Sequence, residues 1–198
     1  MTGIVTLSIE LELGWGMHDQ AEYGQLSSDR SAETEALHRL LDLAGPLNLP
    51  ITFEIVGQLF HDSCSGYHPG PHPELWWDEN PVTCNDSDPL FYGPDLVREI
   101  RNRKTDHELA THTNSHLLAD EATSEELEYE LATVDDLHAD TGLPAPTSIV
   151  MLRHQDLSRN AVIFNICSMQ LMKPKKRGAM YTFGPIFITS PMNSNGTR

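Results

Sequence analysis

Lysine is nearly missing from most of this 198-residue chain. Residues 1–156 hold a single lysine, Lys104, and seven basic residues in all, against all 29 acidic ones, a balance of −22. A body that acidic repels phosphate backbones and anionic headgroups, which excludes nucleic acid and membrane surfaces as its partners. Long apolar runs are also missing: none approaches the ~20 residues of a membrane helix. The N-terminus has no basic flank and alternates apolar with polar residues, so it reads as a strand, not as a secretory signal. Cysteine is scarce; an odd set of three, Cys64, Cys84 and Cys167, argues against a disulfide framework. The expected setting is the cytoplasm. The acidic, lysine-poor surface fits a salt-adapted, halophilic protein, with an ordinary acidic protein as the alternative. Acidic residues vanish in turn from residues 157–198, which carry six basic residues and a balance of +6. The chain therefore divides into a main domain, 1–156, and a basic C-terminal segment, 157–198.

Enough apolar residues remain, 39%, to build one core. Ile4 to Leu13 alternate with period two, the signature of a strand. Ser31 is placed to cap a helix carrying Leu37, Leu40, Leu41 and Ala44, with Gly45 near its end. Pro50 opens a second strand, Ile51 to Val56, so the first 55 or so residues form a βαβ unit. Residues 61–93 lack periodicity and read as a long loop. Pro94 starts another helix, and His107 to Thr111 makes a short strand. Thr123 with Glu126 spells a capping box for a helix through Leu127, Leu131, Val134 and Leu137. Ser148 to Leu152 is a further strand; Ala161 to Ile166 and Tyr181 to Ile188 are weaker ones. Strands alternating with helices give an α/β class with a largely parallel sheet.

Two patterns carry chemistry. Glu10 and Glu12 stand two apart on the first strand, so both side chains share one face, toward the end where α/β sheets place their sites. His112 and His116 stand four apart; on a helix both rings would share a face and could hold one ion. Two neutral imidazoles and a carboxylate make an open zinc site. Read separately, the first pattern is also that of a solvated edge strand, and the second that of two surface histidines. In the long loop, Cys64, His68 and His72 with Cys84 match no strong zinc spacing. Trp76 and Trp77 serve either to pack this loop or to stack on a sugar.

Taken together these stretches resemble a known family. His107-Glu-Leu-Ala-Thr-His-Thr-Asn-Ser-His116 resembles the second motif of the polysaccharide deacetylase (NodB-homology) family, His-[Ser/Thr]-x-x-His. Ser8-Ile-Glu-Leu-Glu-Leu-Gly-Trp-Gly16 is similar to the first motif of a branch written Ser-x-Asp-x-Glu-Leu-x-Trp-Gly. Ile51-Thr-Phe-Glu-Ile-Val-Gly57 resembles the family strand Ala-Thr-Phe-Phe-x-x-Gly. Gly93 to Val97 and Ser148 to Arg153 resemble two further stretches, the latter ending in the third-motif arginine. The resemblance covers about residues 4–156.

It implies a distorted (β/α) barrel and metal-assisted hydrolysis of an N-acetyl or related amide, the substrate being a carbohydrate or small amide. By position Glu12, His112 and His116 would hold a divalent metal, usually zinc. Glu10 would be the general base, and Arg153 would orient it. There are departures. The base position is usually Asp, and Glu10 is one methylene longer. Proline-rich surroundings are absent after Arg153. The family's late general-acid histidine has no counterpart, since the last histidine is His154. The basic segment therefore reads either as a divergent C-terminus that completes the sheet or, the favoured expectation, as a disrupted end that leaves the barrel incomplete. The expected function is a metal-dependent hydrolase of a non-peptide carbon–nitrogen bond. The alternatives are a catalytically inactive member that at most binds metal or carbohydrate, and an unrelated acidic α/β protein. Oligomeric state is left open.

Overall fold

A computed structural model describes residues 6–152, apart from 19, 21, 22, 79 and 81, together with the backbone of 170 and 171. Strands and helices alternate among them: β1 (Ser8–Leu11), α1 (Ser31–Leu47), β2 (Thr52–Ile55), α2 (Pro94–Arg101), β3 (Glu108–Thr111), α3 (Ser124–Asp140), β4 (Ser148–Ile149) and β5 (Gln170–Leu171). Every neighbouring pair is parallel, and the sheet order is the chain order, β1-β2-β3-β4-β5. Parallel neighbours need long crossovers, and the three helices lie in the first three of them. A parallel α/β sheet was expected and is present. Closure into a barrel is not reached among the described residues. The expected strands 161–166 and 181–188, and the charge-reversed segment apart from β5, lie outside them.

Alternation along the strands decides which side chains meet the core. Leu11, Phe53 and Ile55 are buried in one cluster with Leu37, Leu41 and Ala44 of α1 and Leu96, Val97 and Ile100 of α2. Ile9 and Leu109 pack against the same cluster. The intervening positions face the other way. There the register sets Ser8 beside Thr52, Glu10 beside Glu54 and Glu54 beside Ala110. One face is thus oily, and the other is a polar floor of carboxylates and hydroxyls. Trp15, just past β1, is 1% exposed and donates its indole N–H to the Phe91 carbonyl at 2.9 Å. That bond ties the end of the long loop to the first strand.

The capping box reads true. Thr123 Oγ1 accepts from the Glu126 amide at 3.2 Å, and the Glu126 carboxylate accepts the Thr123 amide at 2.6 Å. Ser31, however, is not the cap of α1. The cap is Arg30, in a left-handed conformation, and its side chain makes no capping bond. Asp29 accepts the Ser31 amide at 3.0 Å and Ser27 accepts the Ala32 amide at 3.1 Å, so residues further upstream satisfy the free N–H groups. Arg30 turns inward to pair with Asp95 at 2.6 Å and to donate to the Tyr92 carbonyl at 2.8 Å. β1 stops at Leu11 rather than Leu13 because Leu13–Met17 winds into a 3-10 turn. The described residues of 61–93 hold only turns, bends and one isolated bridge, Ser63 to Cys84, as their composition predicts. No helix among the described residues is long and apolar enough to cross a membrane.

Candidate metal centre

The end of β1, the end of β3 and the loop after β3 deliver three donors to one point. Glu12, His112 and His116 each offer one ligand atom, and these lie within 4.8 Å of one another. Glu12 Oε2 is 2.8 Å from His116 Nε2 and 3.5 Å from His112 Nε2. The imidazole centroids are 5.0 Å apart and tilted by 55°. The rings do not converge through a helix, as the spacing had allowed. Residues 112–116 form a loop in which Thr113 and His116 have positive φ, 67° and 60°. Such conformations are costly for residues with a Cβ and persist where packing imposes them.

The imposing contacts are visible. The Gly57 amide donates to the Thr113 carbonyl at 2.9 Å, and the Gln58 amide to the Asn114 carbonyl at 2.8 Å. A Cβ on Gly57 would stand 2.8 Å from Asn114 Oδ1, so only glycine lets the two turns touch. Behind the loop, Glu130 of α3 is fully buried and takes the Ser115 amide and the Ser115 hydroxyl, each at 2.7 Å. Trp76 donates its indole N–H to the same hydroxyl at 2.9 Å. Glu130 stands three after Leu127 and four before Val134, so helix periodicity puts this charged residue on the buried face of α3. Its partner, Ser115, is 15 residues away and is supplied by the fold.

The donor chemistry fits a divalent cation. His112 is 0% exposed, and its Nδ1 donates to the Val150 carbonyl at 2.8 Å. That bond fixes the tautomer and turns Nε2 toward Glu12. Nε2 is buried, and its nearest polar group is the Glu12 carboxylate at 3.5 Å, too long for a good hydrogen bond, so it is the kind of donor atom that would suit a cation. Burial holds His116 down to about 4, with the nearby Glu12 working against it, so the ring is neutral at pH 7, as a ligand must be. Glu12 feels burial pushing it up, but its bonds to the two imidazoles prevail and hold it low, at about 2. A Cβ on Gly16 would stand 2.5 Å from Glu12 Oε1, so the glycine of the Trp-Gly pair keeps room for this carboxylate.

The other expected site residues fare differently. Glu10 is half-buried one layer below, on the polar floor opposite Glu54, and its charge is felt by both Glu54 and His112. Arg153 lies outside the described residues. Cys64 and His68 approach to 3.4 Å, but among the described residues they join no third donor at metal spacing. Within the long loop Trp77 stacks on His68 at 3.7 Å; it also meets Trp15 edge-on at 6.0 Å, and Trp76 meets His18 edge-on at 4.7 Å, so both tryptophans pack the loop onto the body.

Solved structures supply the comparison. The chain is similar to a family 4 carbohydrate esterase from Streptomyces lividans in complex with acetate, with a TM-score of 0.50 and 13% identity. The match covers 86% of this chain and 62% of that one, so this chain spans less than two thirds of that enzyme. The shared property is the fold. No family model and no curated protein matches the sequence.

Proposed function

We propose that the chain is a metal-dependent hydrolase of a non-peptide carbon–nitrogen bond, removing an acetyl group from an N-acetylated sugar or a related small amide. The observation that carries this reading is the convergence of Glu12, His112 and His116, three donors of an open zinc-type site, on a fold similar to a carbohydrate esterase. Glu12, His112 and His116 would hold a divalent ion, zinc or another that suits two imidazoles and a carboxylate, which would polarise an amide carbonyl and acidify water. The residues do the rest. His112, locked by Val150, and His116, held by its loop, set the geometry. Glu10, one layer below on the polar floor, would take a proton from water. Arg153 keeps the role the resemblance implies, orienting that base. A second reading, a metal- or carbohydrate-binding member without turnover, draws on Glu10 itself. It is one methylene longer than the aspartate of the resembling motif, and a base displaced by about 1 Å costs on the order of 10²-fold in rate.

Metal content per chain, measured by inductively coupled plasma mass spectrometry, tests the first step. We expect one zinc per chain after supplying zinc, and loss of it in both His112→Ala and His116→Ala. Turnover of N-acetylated chitooligosaccharides by the loaded protein then separates the two readings. Folded protein that takes up no ion sinks the first reading and leaves the second only its carbohydrate-binding form.

A further inference from the structure

The long loop gathers a second cluster of reactive side chains, apart from the three metal donors. A cavity of about 310 Å³ opens where this loop meets α3, and Cys64, His68 and His72 line it with Trp77 and, from α3, Tyr129. Acidic residues outnumber basic ones 29 to 7 over residues 1–156, yet no described residue lining this cavity carries a carboxylate. A thiol that gives up its proton there meets no like charge on the cavity wall. Cys64 is half-buried, the exposure of a thiol that a small molecule can reach. Its place is fixed by the chain: the Cys64 amide donates to the Thr83 carbonyl at 3.0 Å, beside the bridge of Ser63 with Cys84. The Gly66 amide donates to Sγ at 3.2 Å. Sγ is also 3.4 Å from His68 Nε2, within hydrogen-bond reach for sulfur. His68 is held in turn, its ring lying on Trp77 with the planes 3° apart. A nucleophile, a base and a group that orients the base thus stand in sequence.

We propose that Cys64 is a nucleophilic thiol with His68 as its base, and that their cavity is a site of exchange with small neutral disulfides. A neutral reagent suits a body of balance −22, which repels anions. The thiol proton passes from Sγ to His68 Nε2. The Cys64 sulfur attacks one sulfur of the disulfide, and a new S–S bond forms. The old S–S bond breaks, its electron pair stays on the leaving sulfur, and the proton on His68 goes there. Cys64 is oxidised to a mixed disulfide, and the other half of the reagent is reduced to a free thiol. Burial, and then the charges of His72 and His61, hold His68 below its ordinary value, so the ring is neutral at pH 7 and its nitrogen can accept. The titratable groups that share the cavity wall with the pair are His61, Tyr67 and His72 from the loop and Tyr129 from α3. No step calls on Glu12, His112 or His116, so this site stands or falls apart from the hydrolase reading.

The test uses the full chain and dithiodipyridine, a neutral disulfide whose released thiol absorbs in the near ultraviolet. Peptide mass mapping assigns the rate to each cysteine. At pH 7 Cys64 should react about 10-fold faster in the folded protein than in the urea-unfolded chain, because a free cysteine is only a few per cent thiolate there. His68→Phe keeps a flat ring against Trp77 and removes the base. It should bring Cys64 down to the unfolded-chain rate and leave Cys84 unchanged. At pH 10, where a thiol ionises without help, the variant should match the wild type. A Cys64 that reacts no faster folded than unfolded overturns the inference, and this is read in the wild type even if His68→Phe fails to fold. Wild-type speed in folded His68→Phe at pH 7 overturns it too. So does a loss that persists at pH 10, which would mark the His68 ring as packing alone.

Discussion

Two carboxylates on the polar side of the sheet are treated in opposite ways. At the start of β3, Glu108 accepts hydroxyl bonds from Thr52 at 2.9 Å, Thr147 at 2.9 Å and Ser148 at 2.7 Å. Glu54, one layer nearer the candidate metal centre, is more deeply buried and leaves an oxygen unpaired. Burial pushes both upward, but the three hydroxyls carry Glu108 below its ordinary value, whereas Glu54 stays up at about 7. The lower layer is finished as structure: every lone pair that matters has a donor. The upper layer is left unsatisfied, with the orphan oxygen of Glu54 beneath the orphan nitrogen of His112. Unsatisfied polar atoms cost stability, and Glu54 Oε1, Thr111 Oγ1 and His112 Nε2 gather toward the C-terminal ends of β2 and β3, while others, such as His107 Nε2, lie elsewhere.

The largest effect expected from this contrast lies behind the upper layer. Glu130 is the satisfied carboxylate on which the unsatisfied ones depend. Glu130→Ala strands the buried Ser115 amide and opens a cavity, and should cost about 3 kcal/mol in urea unfolding. Because the loop carrying His116 is then released, zinc affinity should also fall by about 10–100-fold, read by competition with a chelator. Full zinc affinity in a folded Glu130→Ala protein would show that the strained loop is not held from α3.

The second effect is a difference in pH dependence, of opposite sign for the two layers. Glu54 binds its proton more tightly folded than unfolded. It therefore adds stability that is complete below about 4.5 and lost as pH rises through about 7. A shift of that size is worth about 3 kcal/mol. Glu108 is shifted downward, so its contribution is present above the ordinary glutamate range and lost as pH falls. Urea unfolding of metal-free wild type and Glu54→Gln between pH 4 and 8 should give curves that draw apart as pH rises, with the variant the more stable at pH 8. Parallel curves would mean that Glu54 is ionised in the folded protein at little cost, and the contrast between the layers would collapse.

Local features were legible in the sequence, and distant ones were not. The box of Thr123 and Glu126 needs only four consecutive residues, and the strand of Ile9 and Leu11 needs only its own alternation. The pairing of Glu12 with His112 and His116 was readable through the resemblance, since spacing alone fits surface histidines as well. What was missed depends on contacts between separate segments. The His112–His116 loop is not a helix because Gly57, Gln58 and Glu130 hold it otherwise. Arg30 replaces Ser31 at the start of α1 because Asp95 and the Tyr92 carbonyl draw it inward. Glu54 passed as one letter of a strand motif, for nothing within that motif says that Glu10 stands beside it.

The smallest effect tests whether the lower layer is structural and no more. Thr52→Val keeps the shape of the side chain and removes one of the three donors to Glu108. Glu108 is half-buried and keeps Thr147 and Ser148, so the loss should be about 1 kcal/mol at pH 7. It should shrink in acid, because a protonated Glu108 no longer needs the donor. Zinc stoichiometry should stay at the wild-type value, since Thr52 is two residues down β2 from Glu54 and touches none of the three metal donors. Were Thr52→Val to weaken zinc binding, the two layers would be one coupled network. The division between a finished end and an open end of the sheet would then be wrong.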